Sequence, residues 1–299
     1  MNKGILYAGS AYFLWGFFPI YFNALHAVPA LQTLNHRIAW SFLLLGAIIF
    51  LRREWNGFVQ SLSFKVIGVY LAAALLLAVN WFVYVYAVGA GFVVETSLGY
   101  FINPLVSVLL GVVILREKMR TLQWIPVGMA TLGVVFLGLT YGKLPWISLV
   151  LAISFGTYGL VKKIAPLNSL YGLTLETTIL FPIAMIYLVG VDINGTGAFG
   201  HSSLVVNLLL FLTGLVTVIP LLLFASGARR VTLTTLGFLQ YTAPTLQFLT
   251  GVFLFKEPMT SSHLAGFIII WIALALFTLE GFITYRKQQR LKIIANPNE

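Results

Sequence analysis

The chain contains no cysteine, which excludes a disulfide framework and any site built on thiolate ligands. Charge is scarce: only 9% of the 299 residues are Asp, Glu, Lys or Arg, whereas a soluble domain averages about 25%. Acids are scarcer still, with 8 Asp and Glu against 18 Lys and Arg. No HExxH, Walker A loop, GxSxG elbow or cluster of metal ligands occurs, so the residue patterns of zinc hydrolases, P-loop nucleotidases and serine hydrolases are missing. His26, His201 and His263 stand alone near loops and read as solvated histidines. The expectation is a non-enzyme with no catalytic residue, no metal and no cofactor.

What fills the chain is apolar. Sixty per cent of the residues are hydrophobic and the mean hydropathy is +0.96. A bilayer core needs about 20 apolar residues per helix, and such segments fall at 4–22, 33–51, 66–88, 92–114, 122–140, 145–161, 170–190, 203–226, 232–254 and 263–284. Backbone polar groups have no water to bond in lipid, so helices are the expectation for all ten. The first segment is longer than the apolar core of a secretory signal, holds Trp15, Gly16 and Pro19, and lacks a small-x-small cleavage site. It reads as a retained helix.

The net charge of +10 has a topological reading rather than one in nucleic-acid binding. With the N-terminus inside, the inner links carry Lys3; Arg52, Arg53 and Lys65; Arg116, Lys118 and Arg120; Lys162 and Lys163; Arg229 and Arg230; and Arg286, Lys287, Arg290 and Lys292. Only Lys143 and Lys256 fall outside, and Arg37 lies within a helix. Basic residues are retained on the cytoplasmic side, which puts both termini in the cytoplasm. The basic tail acts as an anchor with some attraction to anionic lipid.

Shifting the chain by 140 residues lays Trp15-Gly16 on Phe155-Gly156, Pro104 on Pro244, Gly111 on Gly251, Arg116 on Lys256 and Glu117 on Glu257. One gapless offset thus serves the first, fourth and fifth segments of each half. Five helices per half is an odd number, so the second copy must be inverted, an architecture shared by many secondary transporters. The expected domains are a first five-helix repeat over 1–141, a second, inverted repeat over 142–286 and a basic cytoplasmic tail over 287–299.

The segments Ala11-Tyr12-Phe13-Leu14-Trp15-Gly16, His36-Arg37-Ile38-Ala39-Trp40-Ser41, Asn80-Trp81 and the run from Glu95-Thr96-Ser97-Leu98-Gly99 through Tyr100-Phe101-Ile102-Asn103-Pro104-Leu105 are specific. With Ser154 to Val161, Leu175-Glu176-Thr177 and Leu236 to Tyr241, they resemble the RarD subfamily of EamA-type transporters, within the drug/metabolite transporter superfamily. The resemblance covers nearly the whole chain. It implies ten helices with both termini inside, and export or exchange of small metabolites such as aromatic amino acids in a bacterial inner membrane.

Polar groups inside a membrane bundle are costly and tend to mark pathways. On the fourth segment Ser97, Tyr100, Pro104, Ser107 and Gly111 share one helical face with Asn103 beside it; Gly237, Gln240, Pro244, Gln247 and Gly251 answer them on the ninth, next to Tyr241. Such stripes either line a cavity or pack helices together. Proline frees a carbonyl one turn earlier. Aromatic walls at Trp15, Trp81, Tyr84, Phe155 and Tyr158 suit planar solutes, or else anchor the bundle. An amide at Asn80, deep in the third segment, needs a partner. The expected substrate-binding set is Trp15, Asn80, Trp81, Tyr100, Asn103, Tyr158, Gln240 and Tyr241.

Four ionisable residues complete the candidates. His36 and Arg37 lie one turn into the second segment, and Glu95 lies at matching depth on the fourth, so Arg37 either pairs with Glu95 or snorkels to the interface. Glu176, in the inner half of the seventh segment, has no evident basic partner, although Lys162 or Lys163 can reach from the cytoplasmic edge. A carboxyl that takes and releases a proton as access alternates is what a coupled carrier needs; a structural hydrogen bond is the alternative. The expectation is a secondary transporter, an exporter of small organic metabolites or drug-like solutes, coupled to protons or else an uncoupled facilitator or exchanger. A scaffold or sensor without transport is the competing class. The partners are the solute and the lipid bilayer, with no nucleic acid.

Overall fold

A computed structural model describes residues 3–89, 93–141, 146–256 and 261–295, and every regular element in them is helical. In chain order these are α1 (Lys3–Gly16), α2 (Phe18–Asn23), α3 (Ala30–Leu51), α4 (Trp55–Gln60), α5 (Phe64–Gly89) and α6 (Val93–Val113). A 3₁₀ turn at Thr121–Gln123 leads into α7 (Trp124–Tyr141), α8 (Trp146–Ile164), α9 (Ser169–Ile193) and α10 (Leu204–Ala228). The chain ends with α11 (Leu233–Gln240), α12 (Thr242–Leu249), a π-helical turn at Thr250–Leu254 and α13 (Ser261–Ala295).

Among the described residues, seven helical stretches are long and apolar enough to cross a bilayer: Lys3–Asn23, Ala30–Leu51, Phe64–Ala87, Trp146–Ile164, Ser169–Ile193, Leu204–Ala228 and Leu264–Thr284. The fourth and fifth expected segments appear as the shorter apolar helices Gly99–Val113 and Thr121–Phe136, and the ninth is divided between α11, α12 and the π-helical turn. The outer surface is apolar, with Phe50, Phe64, Leu139, Ile186 and Leu204 all exposed. Apolar exposure on this scale needs lipid around it. The molecule is an all-α, multi-pass membrane protein. The helix α13 runs on to Ala295, into the stretch expected to be a tail.

Proline explains where the spans break. Pro19 has no N–H to donate to the carbonyl of Trp15 four residues back, and the chain turns at Phe17 between α1 and α2. The amide Nε2 of Gln247 on α12 donates to that freed Trp15 carbonyl at 3.0 Å. Pro244 likewise leaves the Gln240 carbonyl without its helical donor, and α11 gives way to α12 at Tyr241. Pro104, by contrast, sits inside an unbroken α6.

Glycines set the closest helix contacts, as small residues do in membrane bundles. A Cβ on Gly16 would meet the Leu246 side chain at 2.5 Å, and one on Gly156 would meet Val106 at 2.7 Å. One on Gly237 would meet the Pro104 carbonyl oxygen at 2.6 Å, so α11 crosses α6 almost backbone to backbone. The main core joins α1, α8, α10 and α11 through Tyr12, Tyr158, Phe224, Leu233 and Leu236, all fully buried.

Candidate functional site

A cavity of about 700 Å³ lies between α1, α2, α3, α5, α6, α8, α10, α11 and α12. It reaches the connection from Phe22 to Ala30, where the exposed His26 lies on its rim. That histidine was expected to be a solvated loop residue; the fold turns it toward the cavity mouth. Trp15, Asn80, Trp81, Tyr100, Asn103 and Gln240 all line the space. Asn80 has its partner: Nδ2 donates to the Leu151 carbonyl at 2.9 Å and to Ser154 Oγ at 3.0 Å. Gln240 approaches Ser107 at 3.5 Å across the α6–α11 crossing.

Tyr158 and Tyr241, expected in the same wall, are placed elsewhere. The Tyr158 hydroxyl donates to Glu176 Oε2 at 2.9 Å while its ring stacks on Phe224 at 5.9 Å. The Tyr241 hydroxyl donates to the Phe101 carbonyl at 3.3 Å. Both rings are fully buried, with their polar ends engaged within the bundle.

Arg37 faces the cavity from α3. Its guanidinium lies 4.6 Å from the Trp81 ring centre and 5.1 Å from that of Phe22, and Nε donates to Thr217 Oγ1 at 3.1 Å. The expected partner Glu95 has its side chain outside the described residues. His36 does not line the cavity; it is buried with its ring 5.3 Å from that of Phe199.

For Glu176 the structure selects between the alternatives that the sequence left open. It is not without a counter-charge: Lys162 Nζ lies 2.7 Å from Oε1, and both side chains are buried. The spacing explains the pairing, because α8 and α9 are joined by a short turn that brings Lys162 alongside Glu176. The ammonium also lies 5.4 Å from the Tyr70 ring and 5.7 Å from the Tyr158 ring. This cluster belongs to a closed end of the bundle. There Lys163 bonds the Val231 carbonyl, Arg229 Nη1 bonds the Ala165 carbonyl at 3.0 Å, and Ser226 bonds Ser169 at 3.0 Å. Trp15 and Phe155, which line the cavity, pack with Phe224 at ring-centre distances of 5.4 to 5.7 Å, and Phe224 in turn stacks on Tyr158 of this cluster.

One further residue at this end stands out only in the structure. Glu117, beyond the end of α6, reaches across to α11. Its carboxylate accepts from Leu233 N at 2.5 Å and from Thr234 N and Thr234 Oγ1 at 2.9 Å each. Thr232 accepts from Thr235 N at 3.1 Å, so three N-terminal amides of α11 are satisfied by two side chains. Arg116, at a positive φ of 52°, turns the chain so that Glu117 can reach. The signal available in sequence was the match of Arg116-Glu117 to Lys256-Glu257.

Comparison with known proteins decides the family. A model of the EamA-like transporter family matches residues 2–139. Protein RarD of Salmonella typhimurium is 42% identical over 288 residues, covering 96% of this chain and 98% of that protein. The chain belongs to the RarD branch of the EamA-like transporters. Another relative, the Bacillus subtilis transporter YojE, is 46% identical over 93% of this chain and 94% of its own. A solved crystal structure at 18% identity has the same fold, with a TM-score of 0.68 over 93% of this chain and 98% of its own. As a RarD-type EamA protein the chain is a secondary transporter of a bacterial inner membrane and not an enzyme.

Proposed function

We propose that the chain exports small organic solutes of planar, partly apolar character by alternating access of two inverted five-helix halves, residues 1–141 and 142–286. The observation that carries this reading is the cavity, open toward the Phe22–Ala30 connection and shut at the other end. At about 700 Å³ it falls within the range of small-molecule sites, roughly 300–1,000 Å³. Aromatic side chains make up much of its wall, and stacking on them suits planar solutes. Export is taken from the family resemblance.

The halves are supported by contacts that repeat at the offset seen in sequence. Gly16 against Leu246 becomes Gly156 against Val106 when each position moves by 140 residues and the two halves exchange roles. Arg116 and Lys256, likewise 140 apart, both adopt positive φ. Tyr241 bonds to its own counterpart, Phe101, as residues on a pseudo-twofold axis do. With ten spans and both termini cytoplasmic, the cavity faces the outside and the Lys162–Glu176 cluster seals the cytoplasmic end.

Two energy sources remain as readings. In a proton-coupled exporter Glu176 is the proton site and Lys162 its alternative partner as access changes. An uncoupled exchanger is favoured by the 2.7 Å contact with Lys162, which gives the carboxylate a standing counter-charge. Proteoliposomes test both. Saturable flux of planar solutes, lost when Trp81→Ala and Tyr100→Ala are combined, is expected. An imposed pH gradient accelerates it only in the coupled case. Absence of saturable flux for any planar solute tried counts against transport by this cavity.

A further inference from the structure

Helices α6 and α11 meet in successive steps between the cavity and the closed end of the bundle. At the cavity, Asn103 and Gln240 line the space from either side. One turn deeper, Ser107 and Gly237 stand at the crossing, where a Cβ on Gly237 would meet the Pro104 carbonyl oxygen at 2.6 Å and the Ser107 Cβ at 3.3 Å. Deeper again, a Cβ on Gly111 would meet Glu117 Oε2 at 2.7 Å and the Leu233 Cβ at 3.1 Å. There the Glu117 carboxylate closes on Leu233 N, Thr234 N and Thr234 Oγ1. The cavity and Glu117 thus lie on opposite sides of one helix crossing.

A cap that served α11 alone would come from the residue just before it, as Thr232 does for Thr235 N. Glu117 comes instead from the end of α6, so its bonds join two helices. Opening this end requires the end of α6 and the start of α11 to part, and parting them breaks all three bonds. Polar contacts suit such a seam, because water replaces each lost partner and the net cost of exchange is modest. Glu117 is half-buried, within reach of water. The neighbouring links are of the same kind, with Lys163 on the Val231 carbonyl and Arg229 on the Ala165 carbonyl.

We propose that Glu117 is the positioning residue that latches this gate: its carboxylate holds α6 to α11 while the cavity is open at the far end, and lets go as access alternates. The proposal rests on the alternating-access reading and adds to it a side chain that biases which end is open.

The test uses the full-length chain, which lacks cysteine, with one reporter cysteine at a time in permeabilised membranes exposed to a soluble thiol reagent. Ser107→Cys reports on the gate, since Ser107 is 3% exposed and is not among the residues lining the cavity. Ser41→Cys is the control: Ser41 is 1% exposed, on α3 against the Gly214 carbonyl. Glu117→Gln keeps the side chain's shape but sets an NH2 group against a backbone N–H. It is expected to raise the labelling rate of Ser107→Cys at least about fivefold, a shift in population smaller than one hydrogen bond to a charged group can supply. The rate of Ser41→Cys should not change. Thr234→Val, which removes one bond of the three, should give a smaller rise at Ser107→Cys. An unchanged Ser107→Cys rate in Glu117→Gln overturns the proposal. An equal rise at both reporters overturns it too, because Glu117 would then only stabilise the bundle. If Glu117→Gln yields no folded protein, Thr234→Val decides by the same comparison. Flux measurements separate the two levels: saturable flux with unmoved labelling sinks the latch and leaves transport standing. Labelling shifted at Ser107→Cys alone, without saturable flux, does the reverse.

Discussion

Tyr100, Tyr158 and Tyr241 look alike in sequence: each is a tyrosine within an apolar run, next to a family-like motif. Only Tyr100 lines the cavity, because the hydroxyls of the other two find acceptors at Glu176 and Phe101. Helical periodicity places a residue on a face, but which neighbour takes its hydrogen bond depends on the packed bundle. Glu176 makes the same point. Its depth was legible and so were two basic residues within reach, while the choice of Lys162 over Lys163 required the turn between α8 and α9. Removing one partner of a buried pair leaves the other charge uncompensated, at a cost of about 3–5 kcal/mol. Glu176→Gln is therefore expected to lower the thermal midpoint of the detergent-solubilised protein, and Lys162→Met to do likewise. The double substitution should recover most of the loss, because it strands neither charge. Losses that simply add in this cycle would show that the two side chains do not interact.

At the scale of elements, the apolar runs foretold helices well and their interruptions poorly. Pro104, Pro182 and Pro220 lie inside continuous helices, whereas breaks occur beside Pro19 and Pro244. A proline always frees one carbonyl, but whether the helix parts depends on what else bonds there. At Trp15 a glutamine from α12 completes the carbonyl. The capping of α11 was equally hidden, since Glu117 and Leu233 are 116 residues apart. That carboxylate sits where the helix presents partial positive charge and unpaired amides. Glu117→Ala is expected to destabilise the protein by about 0.5–2 kcal/mol, the usual range for a lost N-terminal cap. Glu54→Ala is the comparison, since Glu54 pairs with a largely exposed Arg52 at 2.8 Å. A surface pair of that kind contributes about 0–1 kcal/mol, so its thermal midpoint should move little. Equal shifts in the two variants would mean that Glu117 is not holding α11.

For the whole molecule, the placement of positive charge and the offset of 140 residues carried more than any single residue. Both read the chain as a set of spans, and neither depends on where a helix bends. Topology is where they can be tested together, and the missing cysteines make the test clean. Retention of Lys and Arg on the inner face places the Asp192–Ser202 connection outside, along with the Phe22–Ala30 cavity mouth. It places Gln288, on the last helix, inside. Cysteines are introduced singly at Ser202, Ala27 and Gln288 and treated in intact cells with a membrane-impermeant thiol reagent. Ser202→Cys should react from outside, and Gln288→Cys only after the membrane is opened. Ala27→Cys reports on the cavity: it should react from outside and be protected by a solute that fills the cavity, because Ala27 lines the space. Inversion of the Ser202 and Gln288 pattern would overturn the orientation and, with it, the assignment of the Lys162–Glu176 cluster to the cytoplasmic end. Reaction at both from the same side would instead overturn the odd number of spans between them and the pairing of two five-helix halves.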